Sequence, residues 1–307
     1  SFDMSWESRR DGISDFGFRT SDLGTMCGLA GSRNPQSAIR NPKSLLCLLC
    51  FLWLLPLSAL AQQRPLITED PRIITTGSLV TEVGFGYFNR ARFPLSGLGG
   101  DGFSAFANGL NFGLGPRSEF QMNWVGQNFL HVHENGSGWR NDWGDASLST
   151  KIKIVDETPV LPIISFRPTV VLPNSNDAKG IGTNSTQFFG NILAGKNAGR
   201  MFLFGSLGLG ILTDTVRVRA QQDVLTYGVA AVLPVSPTIS LLSEWNGVRN
   251  PRDHPTPGGE DRGQVRLGAQ IRAGGVRWDV GAMAGLTRLD PRAGLVFGLT
   301  KEFQLWK

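Results

Sequence analysis

Gln264-Val265-Arg266-Leu267-Gly268-Ala269-Gln270-Ile271-Arg272 decides how the rest of the chain is read. Gln264, Arg266, Gly268, Gln270 and Arg272 stand two apart, and Val265, Leu267, Ala269 and Ile271 fill the places between. Side chains alternate across a strand but wind with a period of 3.6 around a helix, so only a strand keeps these two faces apart. Arg117, Glu119, Gln121 and Asn123 alternate in the same way with Phe120, Met122 and Trp124. Ser147, Ser149, Lys151 and Lys153 do so with Leu148, Ile152 and Ile154.

Carried outward, the pattern predicts twelve strands, near 78–88, 103–114, 117–127, 145–155, 160–172, 186–195, 200–212, 223–233, 238–248, 263–273, 276–286 and 292–303. The connections between them hold 14, 2, 17, 4, 13, 4, 10, 4, 14, 2 and 5 residues in order. Every second one is a tight turn, among them Gly115-Pro116 and Gly274-Gly275, and most of the others are long and polar. Turns therefore gather at one end and loops at the other, as in transmembrane barrels with an even strand number. A Greek-key sandwich would scatter its long connections over both ends. The predicted strand length of about 11 residues suits a tilted membrane strand, and an open edge in lipid would leave backbone groups unpaired. The fold class expected is all-β, a transmembrane antiparallel up-and-down barrel.

Composition agrees. The chain has 307 residues, of which 18% are charged and 41% hydrophobic, with 39 Gly and 17 Pro. Average globular domains carry roughly a quarter charged residues. A mean hydropathy of −0.07 excludes a polytopic helical membrane protein, which needs several apolar runs of about 20 residues. The net charge of +5 is mild and its basic residues are scattered, so no nucleic-acid footprint is expected. Cys27, Cys47 and Cys50 are the only cysteines, which removes thiol chemistry and Cys-ligated zinc from everything downstream.

Leu45–Leu57 (LLCLLCFLWLLPL) is uncharged, preceded by Arg40 and Lys43 and followed by Ala59-Leu60-Ala61. That is the order of a secretory signal peptide with cleavage near Ala61. Thirteen residues are also too few for a membrane-spanning helix. The expected organisation is an upstream, non-native translated stretch at 1–38, a signal peptide at 39–61 and a mature barrel at 62–307, in the outer membrane of a Gram-negative bacterium.

Residues 64–87 (RPLITEDPRIITTGSLVTEVGFGY), Gly144–Lys151 (GDASLSTK), the stretch from Leu172-Pro173 to Asn184-Ser185-Thr186 and Tyr227-Gly228 to Glu244 together resemble the family labelled MetA-pathway of phenol degradation. The resemblance covers about 64–303, with Asn184 in place of a usual Gly. It implies a transporter-like outer-membrane barrel and the passage of aromatic compounds, with no agreed catalytic set.

On this reading the lumen is lined by Glu119, Gln121, Asn123, Lys151, Lys153, Arg167, Glu244, Asn246, Arg266, Gln270 and Arg272. Charges inside a narrow barrel must pair with one another or with water, and their basic excess favours anionic or phenolate-like solutes. The same set also suits a pairing network that plugs the barrel. Trp124, Trp245, Trp278, Phe120, Phe297 and Phe303 are candidates for the aromatic girdles. The terminal strand Ala293–Phe303 is of the kind read by barrel-assembly machinery. Expected partners are thus the lipid bilayer, that machinery and a small solute.

His131 and His133 open the longest predicted loop, with Glu134 and Asp142 as further metal ligands to consider. Only two ligands are certain, so no metal and no cofactor are expected, and the pair reads as solvated. A barrel hydrolase would place a Ser two residues from its His. Here Asn135 holds that position and Ser137 comes two later. The function expected is passive passage of small, phenol-like molecules without catalysis. The alternatives are a lipase- or deacylase-like barrel at the His131/His133 loop, and a structural barrel with a sealed lumen.

Overall fold

The computed structural model describes residues 64–216 and 220–306. The expectations for 1–38 and for the signal peptide lie outside them. Thirteen strands follow in order: β1 (Ser78–Phe93), β2 (Leu98–Gly115), β3 (Ser118–Glu134), β4 (Gly138–Asp142), β5 (Ala146–Val155), β6 (Ile163–Leu172), β7 (Gln187–Ala198), β8 (Met201–Thr213), β9 (Gln221–Pro234), β10 (Ile239–Arg249), β11 (Arg262–Ala273), β12 (Val276–Gly285) and β13 (Ala293–Gln304). All pairings are antiparallel between neighbours, β2 also pairs β3, and the last strand meets the first with Ser78 opposite Gln304.

The strand count reconciles with the twelve expected. β3 pairs β5 in its lower half, with Trp124 opposite Ala146, and β4 in its upper half, with Asn128 opposite Asp142. Both pairings share one register, and Gly144 N donates to Val125 O at 3.0 Å between them. β4 and β5 are therefore one stave interrupted at residues 143–145, and the ring is a closed barrel of twelve staves. Closure leaves no edge strand to be satisfied by lipid.

The tight turns gather at one end. Gly274 and Gly275 both take positive φ, 62° and 69°, the requirement of a two-residue type I′ hairpin. At the β5–β6 turn a hydrogen bond from Lys153 holds the Asp156 carboxyl below its ordinary range. At the opposite end the longest connections are residues 173–186 and 250–261. On the outer wall Leu207, Leu209, Val229, Leu267 and Leu295 are among the most exposed side chains. Trp245, Trp278 and Phe297 are exposed with them, whereas Phe120, Trp124 and Phe303 are half-buried.

Two predicted loops are largely strand, with turns left only at 94–97 and 135–137 and a break at 143–145. The stretches 89–102 and 128–144 prolong β1, β2 and β3 to 16, 18 and 17 residues. The reason is a row of distortions at one level. The β1–β2 register shifts between Gly84 and Gly86, and Phe106 takes a φ of 55°. Such a bulge inserts one unpaired residue and turns the following side chains to the other face. Below it Asn111 and Gln121 are opposite and buried. Above it Ser104 Oγ donates to Asn128 Oδ1 at 2.7 Å, so the inward positions pass from odd to even.

Candidate functional site

The lumen is occupied by residues 64–77, the stretch that leads into β1. Residues 64–77 form no ladder, so their backbone groups must find partners elsewhere once buried. The wall supplies them. The Glu244 carboxylate accepts from the main-chain N–H of Ile67, at 3.0 and 2.9 Å, and from that of Thr68. Glu119 Oε2 accepts from Ile74 N at 2.7 Å. Gln270 Nε2 donates to the Arg64 carbonyl at 2.7 Å, and Arg266 Nη1 to that of Pro65 at 2.8 Å. Ser165 Oγ donates to the Pro71 carbonyl at 2.6 Å.

Charge ties the same segment down. Lys151 Nζ lies 2.8 Å from Glu69 Oε1 and 2.9 Å from Glu119 Oε1, with all three side chains buried. It also donates to the Asp70 carbonyl at 2.8 Å. Gln121 Nε2 donates to Glu69 at 2.9 Å and Arg167 Nε stands 3.6 Å from its other oxygen. A second cluster faces this one. Arg277 holds Asp279 at 2.7 Å and Glu82 at 3.6 Å, while Arg64 reaches Glu82 at 3.4 Å and the Ala107 carbonyl at 2.7 Å. Ion pairs this deep do not by themselves favour the fold, because desolvation offsets their attraction. They do fix where the segment sits.

Small wall residues make the room. A Cβ on Gly228 would lie 2.3 Å from Thr68 Oγ1, and one on Gly113 would lie 2.0 Å from the Thr75 carbonyl oxygen. Leu66 packs with Phe202, Phe204, Ala230 and Leu242 in a small apolar cluster inside the polar lumen.

Seven of the lumen residues expected from the sequence thus touch the segment: Glu119, Gln121, Lys151, Arg167, Glu244, Arg266 and Gln270. Asn123 lines a cavity beside it, and Asn246 accepts from Gln264 at 3.2 Å. Lys153 pairs Asp156 at 2.6 Å at the turn end, and the exposed Arg272 stands two residues before the Gly274-Gly275 turn. Glu82, Arg277 and Asp279 went unnamed from sequence although their alternation with Val83, Trp278 and Val280 marks the same inward face. Arg64, Glu69 and Asp70 lie in a segment with no period to mark them. The carboxylates of that segment and of β1 and β12 also offset the basic excess read from the wall.

The segment does not fill the lumen. A cavity of about 320 Å³ is bounded by Arg64, Leu66, Asn123, Arg167 and Arg266. Towards the loop end a larger one, about 580 Å³, shares Arg266 and is lined by Phe88, Leu130, Ile181 and Met283 with Asn128 and Gln264. A third, about 300 Å³, shares Arg167 with the first and Gln264 with the second.

Asp142 and Asp145 fasten the 173–186 loop beside the larger cavity. Asp142 Oδ2 accepts from Asn176 N at 2.5 Å and its other oxygen meets Lys179 at 3.3 Å. Asp145 Oδ1 accepts from Ser175 N at 2.9 Å. Asp142→Ala is expected to leave the Asn176 N–H without its acceptor and free the loop. Limited proteolysis within 173–186 should then run at least several-fold faster than in the parent protein.

His131 and His133 stand on β3, not in a loop. Both are exposed, with His133 Nε2 2.9 Å from His131 Nδ1. Glu134 pairs Arg92 at 3.5 Å and Asp142 is buried on the other face, so neither joins them as the sequence suggested. Among the described residues no three His, Cys, Asp or Glu side chains form a ready metal cluster.

No family model and no curated protein matches the chain. Among solved structures it is similar to an outer-membrane channel from Pseudomonas putida F1, at 14% identity and a TM-score of 0.59, over 76% of this chain and 98% of that one. The NanC porin aligns over 72% of this chain and 97% of its own, at 7% identity and a TM-score of 0.48. The CymD monoaromatic hydrocarbon channel covers 75% and 89%, at 7% identity and a TM-score of 0.37. The first of these likenesses is one of fold: the closed antiparallel barrel is shared.

Proposed function

We propose that the chain is an outer-membrane channel for passive entry of small solutes, phenol-like molecules among them, past the N-terminal segment. The observation that carries this reading is the run of adjacent cavities beside that segment, whose walls have Arg266, Arg167 and Gln264 in common. An apolar belt outside and a polar path inside are what a barrel between two aqueous phases requires. The resemblance of residues 64–87 and 144–151 to the phenol-degradation family supports the aromatic part of the proposal. The same reading takes 62–307 as the mature protein, freed from 1–61 by cleavage near Ala61, and gives β13 the role of the segment read during barrel assembly. It assigns no catalytic step.

Proteoliposome swelling tests it. Phenol-sized solutes are expected to enter and a disaccharide to be held back by cavities of this size. Arg266→Ala, which widens the wall common to two cavities, is expected to speed entry of the smaller solutes several-fold. The segment also favours a second reading, a sealed barrel with a structural role. Impermeability of both the parent and the Arg266→Ala protein to every solute would select it and overturn the channel.

A further inference from the structure

We propose that the outer face of the β2–β3 hairpin, beyond the loop end of the lumen, binds a divalent transition metal of the copper or nickel kind through His131 and His133. The two residues are two apart on a strand and therefore share a face. Their facing nitrogens, His131 Nδ1 and His133 Nε2, are 2.9 Å apart. Side chains that already meet at hydrogen-bond distance come within reach of one ion, which imidazole binds at about 2.0–2.1 Å. Imidazole together with oxygen is a donor set of Cu(II) and Ni(II).

The ladder brings a third group that sequence spacing did not offer. Asp101 is the cross-strand partner of His131, and its Oδ2 lies 4.0 Å from His133 Nε2. Its other oxygen is held by Asn89 Nδ2 at 3.0 Å and Arg90 N at 2.9 Å. At that distance the carboxylate offsets the ion's charge and accepts from a metal-bound water, the role outer partners play around metal sites. The imidazole rings meet edge to face, 4.7 Å between centroids, and a rotation of these exposed side chains turns both lone pairs to one ion. Binding takes the place of the hydrogen bond between the two nitrogens: the proton on it moves, by way of solvent, to the other nitrogen of its own ring, so each imidazole binds neutral and no proton is lost overall. Trp139, with its ring 4.9 Å from that of His131, is a built-in reporter, since a paramagnetic ion beside it quenches its emission.

The experiment uses the full mature barrel without an affinity tag, in detergent, titrated with CuCl₂ and separately with NiCl₂. Tryptophan emission and the Cu(II) electron paramagnetic resonance spectrum are the readouts. Quenching with a spectrum of two equatorial nitrogens is expected. His131→Ala or His133→Ala should weaken binding about 100-fold or more, and Asp101→Asn about 10-fold, by analogy with the 10–100-fold losses at supporting positions. His254→Ala, which alters the one other histidine of the chain, should change nothing. Trp139→Phe should lessen the quenching and leave the resonance spectrum as it was. Copper affinity undiminished in His133→Ala, or a spectrum with a single nitrogen in the parent, would overturn the proposal. Solute entry should be unchanged in His133→Ala, which keeps this test separate from that of the channel.

Discussion

Lys151→Met is expected to lower the stability of the plugged barrel by about 3–5 kcal/mol, the cost of leaving a buried ion group with one side removed. Lys151 is the cation between Glu69 of the segment and Glu119 of β3, at 2.8 and 2.9 Å. Methionine keeps the bulk of the chain and takes away the charge, so two carboxylates are left facing each other out of reach of water. The cheaper escape is for the segment to leave and let Glu69 meet solvent. A shift of that size changes the ratio of unplugged to plugged barrel by roughly two to four decades, at 1.36 kcal/mol for each decade. Bilayer conductance should rise accordingly, and the folded form should be lost at lower temperature on gel migration. Adding Glu69→Gln and Glu119→Gln to Lys151→Met removes the stranded charges and should recover most of the loss. A triple variant no better than Lys151→Met would mean that the lysine holds the segment by packing and not by charge.

The second large effect is expected from Gly228→Ala. Its new methyl group would stand 2.3 Å from Thr68 Oγ1 and 3.1 Å from Thr68 Cγ2, and Thr68 is itself buried. The clash falls on the segment, inside the ring. Overpacking of this kind costs about 1–3 kcal/mol, which corresponds to a roughly 5- to 150-fold change in the ratio of the two states. Thr68→Gly in the same chain removes the obstructing atoms, so the double variant should return to the parent conductance. A Gly228→Ala protein with parent conductance would place Thr68 elsewhere than beside the wall.

The limits of what could be read from sequence follow from where alternation survives. It is clean in 264–272 because β11 has one apolar outer face and one lumen face for its whole length. Alternation also marks Glu119, Gln121, Lys151, Glu244 and Gln270 as sharing a polar face, and these side chains meet residues 64–77. It fails across 89–102 and 128–144, where β1 is distorted at Arg90 and the faces of β2 and β3 have exchanged above Phe106. A strand that changes sides reads as a loop. Residues 64–77 were illegible for a different reason. Their backbone is bound by side chains of residues such as Glu244 and Gln270, 177 and 206 positions away, and contacts of that separation leave no local period. The polar wall could be seen, but not what it was polar for.

The seam where Ser78 meets Gln304 has a consequence for biogenesis. The ring is complete only when its final strand arrives, yet the peptide it encloses is attached to its first. Either the cylinder zips shut around a tether already lying across it, or that tether must afterwards find its way in from the rim beside the seam. In the first case Lys151 would be needed for the ring to close at all. In the second, Lys151→Met would close at the parent rate and merely stay open, a difference that the time course of refolding into detergent can resolve.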